Sequence, residues 1–139
     1  MRVYLYFIGK VRDRHAHAIA EEYVKRTGRF AACEMREIDP RRVDLRAKHA
    51  GGMKVLLDPE GRVCDSKEFA ELVRKCETQA RDLVFVIGGA EGLPAAWRDH
   101  ADFLLSLSRM TWPHELARAM LAEQIYRAFT MLRGHPYPR

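Results

Sequence analysis

Residues 84–92 read VFVIGGAEG, and with Leu83 they give five consecutive apolar positions, Leu83 to Ile87, that stop at two adjacent glycines. A short run with nothing polar in it predicts a strand buried on both faces, as in a parallel sheet. The glycines behind it admit two readings. They turn the chain sharply, or they leave the backbone bare for something that must come close. Two glycines cost together about 1–2 kcal/mol of backbone entropy, a cost that close approach to a ligand would justify. A phosphate cradle is the first such ligand to test. The spacing excludes it, because the stretch is neither G-x-G-x-x-G nor a P-loop ending in G-K-[ST], and the strand sits well inside the chain.

Working outward, residues 2–8 (RVYLYFI) predict a buried strand ended by Gly9. Asp13 caps a helix through about Lys25, with Gly28 as its C′ stop. Residues 33–39 alternate apolar and polar, as an edge or half-buried strand does, and Pro40 ends them. Residues 40–52 form a basic loop with room for one helical turn. MKVLLD (53–58) is a second buried strand that turns through PEG (59–61), and Asp65 with Glu68 makes a capping box for a helix over 66–80. Pro94 opens a short helix to about His100, and DFLLSLS (102–108) is a further core strand. The strongest helix spans 111–134, with Pro113 at its start, Gly134 at its end, and Leu121, Ile125, Ala128 and Leu132 at core spacing. Strands alternating with helices predict an α/β fold: one domain over 1–139, three layers, a mostly parallel sheet, and ligand loops at the strand C-termini.

Composition narrows the setting. No apolar stretch approaches the ~18–20 residues of a transmembrane helix, so no membrane is expected. Cys33, Cys64 and Cys76 are odd in number and far apart, with no C-x-x-C, which suits free thiols in the cytoplasm. The net charge of +5 permits a polyanionic partner without requiring one.

The loop LSRMTWPH (107–114) belongs at the same sheet edge as 88–93, so the two face each other across a crevice. Neither brings a nucleophile with a base: Ser106 and Ser108 are not in G-x-S-x-G, and no cysteine is near. No metal site is expected either, since His15 and His17 point to different faces of their helix. Glu91 stands alone, as a turn carboxylate or as an acid or base. What remains is a pocket of backbone groups and apolar walls. It suits an adenosine-type cofactor that brings its own chemistry, and S-adenosylmethionine fits, because its sulfonium leaves the protein only to align acceptor, methyl and sulfur at about 3–3.5 Å.

VIGGAEGLP, then LLSLSRMTWPHELARAMLAEQIYRA, then HPYPR closely resemble the RlmH family of the SPOUT (α/β-knot) superfamily, bacterial 23S rRNA pseudouridine N3-methyltransferases. A weaker match reaches the N-terminus through EEYVKR and VLLDPEGR. Two departures stand out: 40–52 is shorter than in many relatives, and the tail reads HPYPR where some relatives read HPYH. The resemblance implies a C-terminal deep trefoil knot, a homodimer, and S-adenosylmethionine contacts at Leu57, Gly88, Leu107, Ser108, Arg109, Met110, Thr111 and Trp112. Gly88 carries the cofactor assignment, while Gly89 and Gly92 shape the turn. The acceptor implied is N3 of a pseudouridine in helix 69 of 23S rRNA on assembled ribosomes. An imide N3–H needs a base, or donors for the developing anion. His135 is the candidate base, with Tyr137 and Arg139 contacting the nucleobase or phosphate from either subunit's tail.

Each residue also has a plainer role. His135-Pro136-Tyr137 is equally a C-terminal clasp, Trp112 a core filler, and Arg118 and Arg127 partners of Glu115 and Glu123 along one helix face, worth ~0.3–0.5 kcal/mol per pair. The competing function is a non-catalytic rRNA- or ribosome-binding module of the same fold, which would have no need of both loops.

Overall fold

The computed structural model describes residues 1–138. Arg139, the RNA-contact candidate, lies outside the described residues. The chain runs β1 (Arg2–Ile8), α1 (Arg14–Thr27), β2 (Ala32–Ile38), α2 (Leu45–Lys48), β3 (Met53–Val63), α3 (Ser66–Thr78), β4 (Leu83–Ile87), α4 (Ala95–Asp99), β5 (Phe103–Ser106) and α5 (His114–Leu132). All five strands are parallel, in the order β2-β1-β4-β3-β5. The all-apolar β4 sits at the centre, buried at every position, as its sequence requires.

The strand period of two sends alternate residues to two unequal layers. Val3, Leu5, Phe7, Leu83, Phe85 and Ile87 join Phe69 and Val73 of α3 and Leu121, Ile125 and Phe129 of α5 in the larger core. Tyr6, Val84, Val86 and Leu56 face the other way, where Leu45 of α2 and Trp97 of α4 give a thinner cover. There the buried Tyr6 hydroxyl is 2.8 Å from His49 Nε2 and ties the end of α2 to the sheet. Burial pushes the Tyr6 phenol up to about 12 and the His49 imidazole down, so a protonated tyrosine donates to a neutral histidine. Among the described residues no helix is long and apolar enough to cross a membrane, and all three cysteines are free.

The helix ends follow their caps. Asp13 accepts from His15 N and Ala16 N, and the Asp65–Glu68 capping box is formed. Gly28 departs from expectation: its φ is −56°, and it continues the right-handed spiral. The left-handed stop appears instead at Gly134 (φ 66°), where His135 N donates to Thr130 O in a Schellman closure. Ala80 takes the same conformation (φ 54°) behind α3, which therefore ends at Thr78 and not at residue 80. Pro94 and Pro113 cap their helices from just outside, and β5 stops at Ser106 because Ser106 Oγ donates to Ser108 O (2.8 Å) and turns the chain.

One strand differs in kind. β3 does not end at PEG. Leu57 and Arg62 both face Leu105 of β5, so residues 58–61 loop out and the strand then rejoins its neighbour. Gly61 permits this: a Cβ there would lie 2.6 Å from Leu104 O. Gly61→Ala is expected to push the excursion off β5 and lower stability by about 2 kcal/mol or more, as overpacking does. A denaturant midpoint matching the parent protein would show that the contact has slack.

Candidate active site

The excursion within β3 and the loops after β4 and β5 meet and, with the first turn of α5, line a cavity of about 450 Å³. That is within the range of small-molecule sites. Leu57, Asp58 and Pro59 come from the β3 excursion, residues 88–93 follow β4, and Ser106, Leu107, Ser108, Met110, Thr111 and Trp112 follow β5. Seven of the eight residues singled out for the cofactor therefore line one space. Arg109 does not: its side chain is exposed and outside the lining.

The loop after β4 closes on itself. Gly92 N donates to Gly89 O at 3.0 Å, the two glycines form an antiparallel bridge, and Gly92 has φ 78°. A Cβ on Gly88 would sit 2.5 Å from the Gly92 carbonyl carbon. The bareness of Gly88 thus has a cause inside the loop, and a valine there would break the turn before reaching any ligand. Gly89 is bare for a different neighbour, Ile8 O, 3.0 Å from its would-be Cβ. The facing loop is held by Ser108, whose Oγ accepts from Met110 N (3.0 Å).

The polar side chains on the cavity wall are those of Asp58, Glu91, Arg98, Ser106, Ser108, Thr111 and His114. Asp58, 6% exposed, accepts from Glu60 N (2.8 Å) and from Arg98 Nε of α4 (2.6 Å), so its charge is paired where it faces the cavity. Glu91 is exposed on the rim. Trp112 is 39% exposed and lines the cavity, which removes its reading as core filler. Sequence reasoning missed the Asp58–Arg98 pair, whose members are forty residues apart on different elements; only the aspartate in LLDPEG was a signal.

Glu115 and Arg118 are not a surface pair. Arg118 is 1% exposed, its guanidinium 3.8 Å from the centroid of Phe7 and 3.5 Å from Glu115, with Nε unpartnered. Burial lowers its pKa, opposed by Glu115. Glu115 accepts from Arg12 N (2.8 Å) and Asp13 N (3.0 Å), joining the first turn of α5 to the β1–α1 loop. The Arg12 N–H first of all, then Asp13 N–H and Arg118, hold its carboxyl below the usual range. Arg127 does pair with Glu123 at 2.6 Å as expected.

His135 and Tyr137 lie elsewhere. His135 is exposed, its ring edge-on to Phe30. Tyr137 packs edge-on to Tyr126, and its hydroxyl donates to Glu123 Oε2 at 2.6 Å, with burial and Glu123 raising its pKa. These are the contacts of a clasp. The 19 residues of α5 separate them from the cavity, a rise of about 28 Å at 1.5 Å per residue.

Because the folded pKa of Glu115 is depressed, its contribution to stability is present above ~4.3, the unfolded value, and is lost as pH falls through the folded value. Glu115→Gln should cost about 1–3 kcal/mol at pH 7, with the gap in melting temperature closing toward pH 3. A gap independent of pH would assign the effect to packing.

Residues 1–138 match the family described as "Predicted SPOUT methyltransferase". The ribosomal RNA large subunit methyltransferase H of Solibacter usitatus is 61% identical over 139 residues, covering all of both chains. That of Cereibacter sphaeroides is 40% identical over 154 aligned residues, covering 100% of this chain and 99% of its own. A probable methyltransferase from Bordetella pertussis shares the fold with a TM-score of 0.63 at 17% identity, over 91% of this chain and 95% of that one. The SpoU methyltransferase AviRb from Streptomyces viridochromogenes, solved in complex with the cofactor AdoMet, has a TM-score of 0.53 at 14% identity, over 89% of this chain and 56% of its own. The chain belongs to the RlmH family of SPOUT methyltransferases.

Proposed function

We propose that the protein is an S-adenosylmethionine-dependent rRNA methyltransferase that acts as a homodimer on N3 of a pseudouridine in helix 69 of 23S rRNA, on assembled ribosomes in the cytoplasm. The observation that carries this reading is a cavity built jointly from the post-β4 and post-β5 loops, its walls including the Gly88–Gly92 backbone and the apolar side chains of Leu57, Leu107 and Trp112. The name carried by the relatives supports rRNA as substrate, and the AdoMet bound by AviRb supports the cofactor.

The residues present fit that cofactor. Leu57, Leu107 and Trp112 offer apolar walls to an adenine, and the Gly88–Gly92 turn lines the same cavity with its backbone. Ser108, Met110 and Thr111 continue the second wall. The cofactor supplies an electrophilic methyl group when bound; the chain has to orient it, exclude water and deal with the N3 proton. We assign the C-terminal segment to the family knot, with α5 returning between α1 and α3 after β5.

Apolar side chains left uncovered around the start of α5 support the homodimer in this reading. Leu116 and Met120, four apart on α5, are 41% and 44% exposed, and Trp112, just before the helix, is 39% exposed. Such side chains suit a second copy of the chain. His135 and Tyr137 are a helix length from their own cavity, so in this reading His135 as base and Tyr137 as nucleobase or phosphate contact serve the partner's cavity, and Arg139 is proposed to act with them.

Incubation with labelled S-adenosylmethionine and ribosomes having or lacking the helix 69 pseudouridines should transfer label only to the former. Transfer to both would remove the pseudouridine assignment, and transfer to neither would favour the binding module. Trp112→Ala, which removes an exposed wall and leaves the core alone, should raise the cofactor Kd about 10–100-fold, from ~1.5–3 kcal/mol of lost apolar burial. Calorimetry showing no change would take Trp112 out of the pocket. His135→Ala should keep cofactor affinity and lower kcat; an unaltered kcat would leave His135 with the clasp alone.

A further inference from the structure

The β1–α1 junction carries Lys10, Arg12 and Arg14, all exposed, and none of them forms an ion pair with any described residue. Many arginines of this chain are instead neutralised, such as Arg26 by Glu22, Arg74 by Glu71 and Arg133 by Glu77. Nor does local stability explain the three cations. Arg14 opens α1, where the helix dipole favours an acidic residue, and the first turn has none.

The backbone that bears these cations is fixed. Glu115 takes both Arg12 N–H and Asp13 N–H, and the Asp13 side chain caps α1. The junction is also next to the cavity. Glu115 follows His114, which lines it, and Ile8 O touches the would-be Cβ of Gly89 on the cavity loop. Arg109, exposed, unpaired among the described residues and outside the cavity lining, stands on the facing loop. Unpaired cations therefore flank the cavity on a scaffold that is held in place without them.

We propose that Lys10, Arg12 and Arg14, flanked by Arg109, form a phosphate-docking rim that grips the RNA backbone beside the nucleotide entering the cavity. The partner is committed to RNA because the cavity requires a nucleobase to reach it, and consecutive phosphates accompany any nucleobase. Arginine forks and a lysine on a fixed loop match phosphate oxygens, and contacts of this kind set register without reading sequence. This rests on the reading of the chain as an rRNA methyltransferase and adds where the RNA backbone lies.

The test is the triple variant Lys10→Ala, Arg12→Ala, Arg14→Ala in the full chain, with Arg41→Ala, Arg42→Ala, Arg46→Ala in the α2 segment as the charge-matched control. For the rim variant, the S-adenosylmethionine Kd and kcat at saturating ribosomes should hold. The KM for ribosomes should rise about 10–100-fold, and the dependence of log KM on log salt should become shallower by about 2, from three lost single-strand phosphate contacts at ~0.7 each. The control should move neither. An unchanged KM and salt slope in the rim variant would overturn the proposal, as would an equal rise in the control or a loss of cofactor binding, which would make the junction merely structural. Inhibition of the parent protein by polyglutamate as strongly as by polyuridylate would redirect the rim to an acidic protein segment. A parent protein that transfers no methyl to rRNA would defeat the functional reading itself, and the rim with it.

Discussion

The carboxylate of Glu115 holds together parts of the chain a hundred residues apart. It sits in the first turn of α5, is 9% exposed, and spends both oxygens on backbone N–H groups of the β1–α1 loop. A buried carboxylate is costly unless its lone pairs are used, and here the loop, the helix start and Arg118 use them. Because α5 begins where the post-β5 loop ends, fixing that turn also fixes Trp112 and His114 on the cavity wall. The β1–α1 loop and the start of α5 are thereby joined beside the site.

Arg118 shows the cost of the arrangement. It is among the largest fully buried side chains, it carries an unpartnered Nε, and its charge is offset by Glu115 and by the face of Phe7. Removing either charge alone would strand the other in a low-dielectric interior, the situation in which buried pairs matter most. The pair joins the core to the first turn of α5, beside the cavity wall.

The fold was legible because its signals are local. The unbroken apolar run of β4, the alternation of β2, the Asp65–Glu68 box and the proline and glycine bracketing of α5 each act within a few residues. The departures came where backbone meets backbone at long range. Gly61 reads as a turn glycine in PEG, yet its role is set by Leu104 on another strand; Gly28 reads as a helix stop, and only its φ shows that the stop is elsewhere. At the site, the two loops were legible from glycine, serine and proline spacing. The reason for Gly88, the burial of Arg118 and the Asp58–Arg98 pair were not, since each depends on a partner that only the folded chain brings near. The separation of the HPY tail from the cavity was implicit in the length of α5, a quantity the sequence contains but periodicity alone does not draw attention to.

That length makes α5 a spacer as well as a core element. It carries the cavity wall at its first turn and the Tyr137 clasp beyond its last, with Glu115 and the Schellman closure at Gly134 fixing its two ends. Adding one residue would advance the tail by about 1.5 Å and rotate it by about 100°, swinging Tyr137 away from Glu123 and Tyr126. Its exposed side chains are free to drift with whatever they pack against, while insertions and deletions inside the helix are barred. The helix acts as a ruler, and its residue count is under tighter constraint than much of its sequence.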